Sequence, residues 1–198
     1  DMLAHLLKHD SVHRRFDADV SHDGESLLVN GRSVKVSAQR NPAELPWGEL
    51  GVELVLECTG VFRTREKAGL HLEAGAKSVV ISAPGKGVDA TIVVGVNDGD
   101  LDIEKHAVVS NGSCTTNCLA PIVRVIHDGL GIERGSVTTL HDPTNTQSVH
   151  DAPHKDPRRA RASQVNLVPT STNSATAVTR ILPELLGRLD SIAVRVPV

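Results

Sequence analysis

Ala107-Val108-Val109-Ser110-Asn111-Gly112-Ser113-Cys114-Thr115-Thr116-Asn117-Cys118 is the stretch on which the fold turns. Its first four residues form a short aliphatic run, as in a strand buried on both faces. Asn111-Gly112 breaks the run. Ser113 to Leu130 then reads as a helix, with Gly129 and Gly131 bracketing its end as a C-cap would. The same strand-then-helix order occurs upstream. Val52-Glu53-Leu54-Val55-Leu56-Glu57 is mostly apolar, ends in Cys58-Thr59-Gly60, and precedes a helical stretch over residues 64–76. Ser78-Val79-Val80-Ile81-Ser82 and Thr91-Ile92-Val93-Val94-Gly95-Val96 are further aliphatic runs. Short strands alternating with helices predict an α/β fold whose sheet is covered on both faces. Ligands of such sheets sit at the carboxyl ends of strands, which puts Thr59-Gly60 and Ser82-Ala83 at the ligand edge. Strand-end Gly and Ser are also plain turn residues.

Outward from this centre, Met2 to Val12 reads as a helix with Leu3, Leu6 and Leu7 on one side. Asn30-Gly31 separates Ser26-Leu27-Leu28-Val29 from Arg32-Ser33-Val34-Lys35-Val36, a hairpin signal because both central residues must tolerate positive φ. Towards the other end, Ser136-Val137-Thr138-Thr139-Leu140 reads as a strand ending at His141-Asp142-Pro143. A long polar stretch, Thr144 to Ser163, carries a basic cluster at Lys155, Arg158, Arg159 and Arg161; loops of that length are functional or disordered. Val165 to Val168 reads as a strand, Ser174 to Leu189 as a helix, and Ile192 to Val196 as a final strand.

The composition sets outer bounds. The chain has 198 residues, enough for one large domain or two small ones. Hydrophobic residues make up 39% and charged residues 23%, ordinary globular usage. No apolar run approaches the roughly 18 residues of a membrane span, and no signal peptide is visible. A net charge of −3 argues against a general attraction to polyphosphate. Aromatics are 2%, which argues against stacking platforms for single-stranded nucleic acid. Three cysteines, two of them four residues apart, make no disulfide framework and fit a reducing compartment. His5, His9 and His13 could share one helix face, either as metal ligands or as a solvated surface. No Cys-x-x-Cys or His-Glu-x-x-His pattern is present.

Cys114 carries the chemistry. It follows a buried strand and opens a helix, where orphan backbone N–H groups and the helix dipole favour an anion such as a thiolate. The same N–H groups can stabilise an oxyanion formed by attack on a carbonyl. A thiolate nucleophile needs a base or cationic partner, and His141, also at a strand end on the ligand edge, is the best candidate. Cys118, one helical turn deeper, is expected to pack. The competing reading makes Cys114 a buried helix-start residue and His141 a turn residue.

Ser113-Cys114-Thr115-Thr116-Asn117-Cys118-Leu119-Ala120-Pro121, with Ser110-Asn111-Gly112 before it, resembles the signature of the phosphorylating glyceraldehyde-3-phosphate dehydrogenase family. Cys58-Thr59-Gly60-Val61-Phe62, Gly75 to Pro84, Ser171-Thr172, Leu182-Pro183-Glu184-Leu185 and Ala193-Val194-Arg195-Val196-Pro197 extend the resemblance over the chain in order. It implies the later part of a doubly wound NAD-binding domain over 1–112 and the first part of an α+β catalytic domain over 113–198. It also implies an oxidoreductase. Cys114 would attack the aldehyde, His141 would act as base, NAD would be reduced, and inorganic phosphate would release the thioester as an acyl phosphate.

By the same resemblance, Thr144 and Arg195 bind the substrate phosphate. Ser113, Thr115 and Thr172 line the substrate and attacking-phosphate sites, and Arg159 belongs to the loop that bounds them. Hydroxyls, a helix start and a guanidinium suit a dianionic triose phosphate. Arg40, Thr59, Gly60, Ser82 and Asn145 would contact the dinucleotide; apart from the resemblance, Arg40 is a surface charge and Ser82 a turn residue. Asn173 stands where many members have Gly, and Asn tolerates left-handed backbone. Thr146 and Ala152 fall where coenzyme and substrate preference vary, which leaves NADP as the alternative cofactor. The loop from His141 to Asp156 resembles most a bacterial branch associated with arsenate resistance, in which arsenate replaces phosphate. Erythrose-4-phosphate dehydrogenase is the other near relative.

The family also implies a cytoplasmic homotetramer acting in glycolysis, with no nucleic acid, membrane or metal partner. A non-catalytic NAD-binding fragment and a metal protein using His141, His150 and His154 are the alternative functions. The glycine-rich turn that cradles a pyrophosphate and the acidic residue about twenty positions later are not found, and the family continues past Pro197. The expectation is therefore a chain cut at both ends. Alone, it should bind NAD poorly, turn over little and aggregate through exposed sheet edges.

Overall fold

The computed structural model describes residues 1–197. The chain divides into two compact units, Asp1–Asn41 and Pro42–Val198.

The first unit holds α1 (Met2–Lys8), β1 (His9–Asp10), β2 (Arg14–Arg15), β3 (Val20–His22), β4 (Ser26–Val29) and β5 (Arg32–Lys35). β3, β4 and β5 form an antiparallel meander, and Val29 pairs with Arg32 across the expected two-residue turn. Asn30 and Gly31 have φ of 48° and 77°, the doubly positive conformation of a type I′ hairpin. α1 is shorter than the expected helix. His9 is already extended, with φ −129°, and pairs in the β1–β2 ribbon. The cause is Asp10, whose Oδ1 accepts from the amides of Val12 and His13 and so offers the backbone a turn instead of a helix. His5, His9 and His13 consequently do not share a helix face, although the rings of His5 and His9 lie 5.0 Å apart.

The second unit holds β6 (Leu54–Glu57), α2 (Arg65–Glu73), β7 (Ser78–Ile81), β8 (Ala90–Thr91), β9 (Val108–Ser110), α3 (Cys114–Leu130), β10 (Gly135–His141), β11 (Val168–Thr170), α4 (Ser174–Ile181) and β12 (Leu189–Arg195). The order β6-β7-β9-β8 makes a parallel sheet, with α2 as the crossover from β6 to β7. A second sheet has the order β10-β12-β11, with β10 parallel and β11 antiparallel to β12. Val55, Ala68, Val79, Ile81 and Val108 form the core between α2 and the parallel sheet. Ala120 and Val123 of α3 pack with Val178 and Ile181 of α4, and with Val93, Leu182 and Leu185. Fully burying each of those two leucines contributes about 1.5–3 kcal/mol.

Several expected boundaries move for identifiable reasons. β8 stops at Thr91 because Asn97 Oδ1 accepts from the Val93 amide at 2.8 Å and folds residues 93–97 into a turn. The last helix ends at Ile181, since Pro183 disfavours helical backbone at Leu182. A short 3-10 turn, Pro183–Leu185, then leads to a final strand that starts at Leu189. β11 starts only at Val168, and Val165 and Leu167 are exposed. β6 departs from two-sided cover: Val55 and Glu57 point inwards while Leu54 and Leu56 are exposed.

Gly75 marks the tightest backbone approach in the second unit. It has φ +102°, and a Cβ there would lie 2.6 Å from the Cα of Gly48. The Gly48 amide donates to the Ala74 carbonyl at 2.9 Å, which fixes the end of α2 against the Trp47–Gly48 segment. Gly75→Ala is expected to cost about 2 kcal/mol or more, from backbone strain and overlap together. A urea unfolding midpoint equal to that of the parent protein would refute this.

Candidate active site

β9 delivers the chain to the site and α3 begins there. Gly112, at φ +71°, makes the turn between them, with Thr116 packed 3.3 Å from where a Cβ would sit. Ser113 is the N-cap, and its Oγ accepts from the Thr116 amide at 3.0 Å. Its hydroxyl also pairs with Thr116 Oγ1 at 2.7 Å. The Asn117 side-chain amide donates to the carbonyls of Asn111 and Ser113, bracing the turn from inside the helix. Cys114 is therefore the first residue of a 17-residue helix. First-turn amides of a helix lack intrahelical acceptors, so those of Cys114 and Thr115 are available to a developing negative charge.

His141 ends β10 and meets Cys114 across the cleft, with Sγ 3.3 Å from Nε2. This distance brings the two sequence candidates together as a hydrogen-bonded pair. The other ring nitrogen has two neighbours: the Asp142 carbonyl at 2.8 Å and Arg195 Nη1 at 2.6 Å. Only one of these contacts is a hydrogen bond at a time. With a proton on Nδ1 the ring donates to Asp142 and leaves Nε2 free to accept the thiol proton. Without one, Nδ1 accepts from Arg195. Arg195 also donates to the Asp142 carbonyl at 2.9 Å, so the end of β12 and the end of β10 hold the imidazole between them. Burial, and then the neighbouring Arg159, hold the Arg195 guanidinium below its usual value, against a smaller opposing pull from its neighbours Cys114 and Asp142.

The cleft encloses about 440 Å³ and is lined by Ser113, Cys114, Thr115, His141, Thr172, Asn173 and Arg195, all expected from the sequence. Thr172 Oγ1 pairs with Ser174 Oγ at 2.6 Å and accepts from the Ser174 amide, which sets the N-terminal turn of α4. Asn173 caps that helix at φ −101°, so the turn forms without left-handed backbone. Thr170, Thr176 and Arg180 also line the cleft and were not foreseen. The spacing of Thr176 and Arg180, one turn apart on α4, was the available signal for the latter two. Cys118 is exposed rather than packed, because its side of α3 borders a groove against β10.

Other expected residues lie around the cleft rather than in it. Thr144 and Asn145 sit on the exposed loop after β10, where Thr144 Oγ1 pairs with Thr146 Oγ1 at 2.9 Å. Arg159 belongs to a short 3-10 turn, Pro157–Ala160, and donates from Nε to Thr170 Oγ1 at 2.9 Å. Asp156 caps that turn. The Arg158 guanidinium, and then its amide, hold the Asp156 carboxyl down at about 2. Among the described residues, no three metal-binding side chains gather, so His141, His150 and His154 do not form a metal cluster.

Thr59 and Gly60 follow the carboxyl end of β6, and Ser82 follows that of β7. All three are exposed, and Gly60 has φ +74° with open space around its Cα. Two parallel strand ends that leave Thr59 and Ser82 exposed, with a glycine permitting close backbone approach, fit a dinucleotide. Arg40 is exposed in the first unit, its amide bonded to Gln39 Oε1.

A model of the glyceraldehyde 3-phosphate dehydrogenase NAD-binding domain matches residues 1–65, and a model of the C-terminal domain of the same family matches residues 113–198. The chain is 57% identical over 197 residues to a protein of Bacillus subtilis named glyceraldehyde-3-phosphate dehydrogenase 1, covering all of this chain and 59% of that one. It is 56% identical over 195 residues to the glyceraldehyde-3-phosphate dehydrogenase of Geobacillus stearothermophilus, covering 98% and 58% of the two chains. The plasmid-borne enzyme of that name from Cupriavidus necator is 57% identical over 195 residues, with the same coverage. The chain thus spans about three-fifths of the length of these relatives.

Proposed function

The chain belongs to the glyceraldehyde 3-phosphate dehydrogenase family, and from that premise we propose that it carries the thiol–imidazole centre of an NAD-dependent, phosphorylating aldehyde oxidation. The observation that carries the reading is the 3.3 Å contact between Cys114 Sγ and His141 Nε2 at the start of α3. The substrate is a triose phosphate, glyceraldehyde 3-phosphate, and the acceptor is inorganic phosphate. The setting is the cytoplasm, and the whole protein acts as a homotetramer. The boundary between the cofactor-binding and catalytic parts falls at 112/113, where β9 gives way to α3.

His141 Nε2 takes the thiol proton as Cys114 Sγ bonds to the aldehyde carbon, giving a thiohemiacetal on Cys114. The first amides of α3 face the resulting oxyanion. Arg195, with the hydroxyls of Ser113, Thr115 and Thr172, suits the phosphate groups of substrate and acceptor, and Thr144 and Arg159 add to that set from the bounding loop. NAD, when bound, supplies the two-electron acceptor; Thr59, Gly60, Ser82 and Asn145 would hold it in the second unit, and Arg40 is the candidate contact of the first. Loss of the carbon-bound hydrogen with its electron pair from that oxyanion leaves a thioester on Cys114, and the proton held by His141 passes to solvent. Phosphate then attacks the thioester carbon, the C–S bond breaks, and the thiolate is regenerated.

Incubation with glyceraldehyde 3-phosphate and NAD without phosphate is expected to leave an acyl group on Cys114, read by intact mass and peptide mapping. Parallel incubation with erythrose 4-phosphate separates the two aldehydes. An unmodified Cys114 with a protein that binds NAD would overturn the reading.

A further inference from the structure

A buried polar chain lies behind the Thr59–Gly60 turn. Glu57 and His71 are 3% and 4% exposed, which is unusual for ionisable side chains in a hydrophobic core. They meet at 3.0 Å between Glu57 Oε2 and His71 Nε2. On the other side of the ring, Trp47 Nε1 lies 3.0 Å from His71 Nδ1. Indole N–H only donates, so Nδ1 must accept and the proton of the neutral ring must sit on Nε2. That proton is aimed at Glu57. Phe62 stands edge-on to the same ring at 6.3 Å between centroids. The second carboxylate oxygen, Glu57 Oε1, accepts from the Thr59 amide at 2.8 Å and from the Thr59 hydroxyl. Thr59 Oγ1 in turn accepts from the Val61 amide at 3.1 Å. The chain therefore runs Trp47, His71, Glu57, Thr59, Val61, with donors converging on the Glu57 carboxylate from both sides, and it ends on the turn after β6. An apolar core would need none of it, and a carboxylate this deep is tolerated only with its acceptor sites filled.

We infer that Glu57 and His71 are positioning residues for the dinucleotide, with Trp47 fixing the tautomer that makes them so. They act through Thr59, whose hydroxyl and amide they hold while its exposed side faces the ligand edge of the sheet. The inference rests on the reading of Thr59 and Gly60 as cofactor contacts. Glu57→Gln puts an NH2 where one of the two carboxylate oxygens must accept, so it sets donor against donor at His71 or at Thr59 with little change of volume. His71→Leu removes the donor to Glu57, and His71→Gln restores a donor at the Nε2 position.

The test measures NAD affinity by calorimetry, backbone hydrogen exchange at Thr59 and Val61, and iodoacetamide alkylation of Cys114, on the parent protein and on Glu57→Gln, His71→Leu, His71→Gln and Thr59→Ala. The expected result is about tenfold faster exchange at Thr59 and Val61 and about tenfold weaker NAD binding in Glu57→Gln and His71→Leu. His71→Gln is expected to recover most of both. Cys114 alkylation should stay within twofold throughout, which general loosening of the fold would not allow. Parent-like exchange in Glu57→Gln and His71→Leu overturns the proposal whatever the affinity. Weaker NAD binding in Thr59→Ala with parent-like binding in the other variants also overturns it. Unchanged binding in Thr59→Ala instead overturns the reading of Thr59 as a cofactor contact, and the inference with it.

Discussion

Cys114→Ser is expected to reduce single-turnover oxidation of glyceraldehyde 3-phosphate by at least about 10³-fold. The replacement keeps the first position of α3, the Ser113 cap and the oxyanion amides, so binding terms survive. It removes the atom on which both half-reactions depend. An alcohol is a far weaker acid than a thiol, so His141 must deprotonate it against a much larger penalty. The ester that would form is also less activated than a thioester towards phosphate. The measurement is the absorbance of the reduced cofactor in the first turnover, paired with the mass of the isolated protein. A variant that forms reduced cofactor within tenfold of the parent rate would remove Cys114 from the mechanism.

The second large effect concerns His141. His141→Asn keeps an amide near the Nδ1 position and so preserves a partner for Asp142 and Arg195, but nothing remains at Nε2. Alkylation of Cys114 by iodoacetamide at pH 7 should slow by roughly 10- to 100-fold, and the first turnover by about 10²–10⁴-fold. NAD affinity should change little, because the imidazole touches none of the residues assigned to the dinucleotide. Parent-like alkylation would mean that the 3.3 Å contact plays no part in activating the thiol.

Much of this site was legible in the sequence because its signals are local. Ser113 three residues before Thr116, a strand-like run before it and Gly112 between them specify a capped helix start. His141 at the end of a β-branched run specifies a strand end. Their meeting needed only the ligand-edge rule for strand ends. Two of the errors share one cause: a short polar side chain captured the backbone where the apolar pattern asked for something else. Asp10 ended the first helix and Asn97 the third aliphatic run, both by hydrogen bonds that carry no periodicity. The Glu57–His71–Trp47 chain was missed for a different reason. Glu57 sits at the end of an apolar strand and His71 inside a helix, 14 residues apart, and only the α2 crossover brings them together. Nothing in the spacing marks a buried ion-capable pair.

The contact between Cys114 and His141 also has a property in time. Cys114 and His141 are 27 residues apart, joined by one helix and one strand, whereas Arg195 reaches back 54 residues to the same imidazole. Synthesis proceeds at about 5–20 residues per second, and near contacts close at less entropic cost than distant ones. Separation alone would let Cys114 and His141 meet some seconds before Arg195 has been made. Among the described strands, however, β10 pairs only with β12, with His141 opposite Arg195, so the strand end that carries the imidazole is completed only together with the arginine, and the Cys114–His141 contact is expected to close late in synthesis.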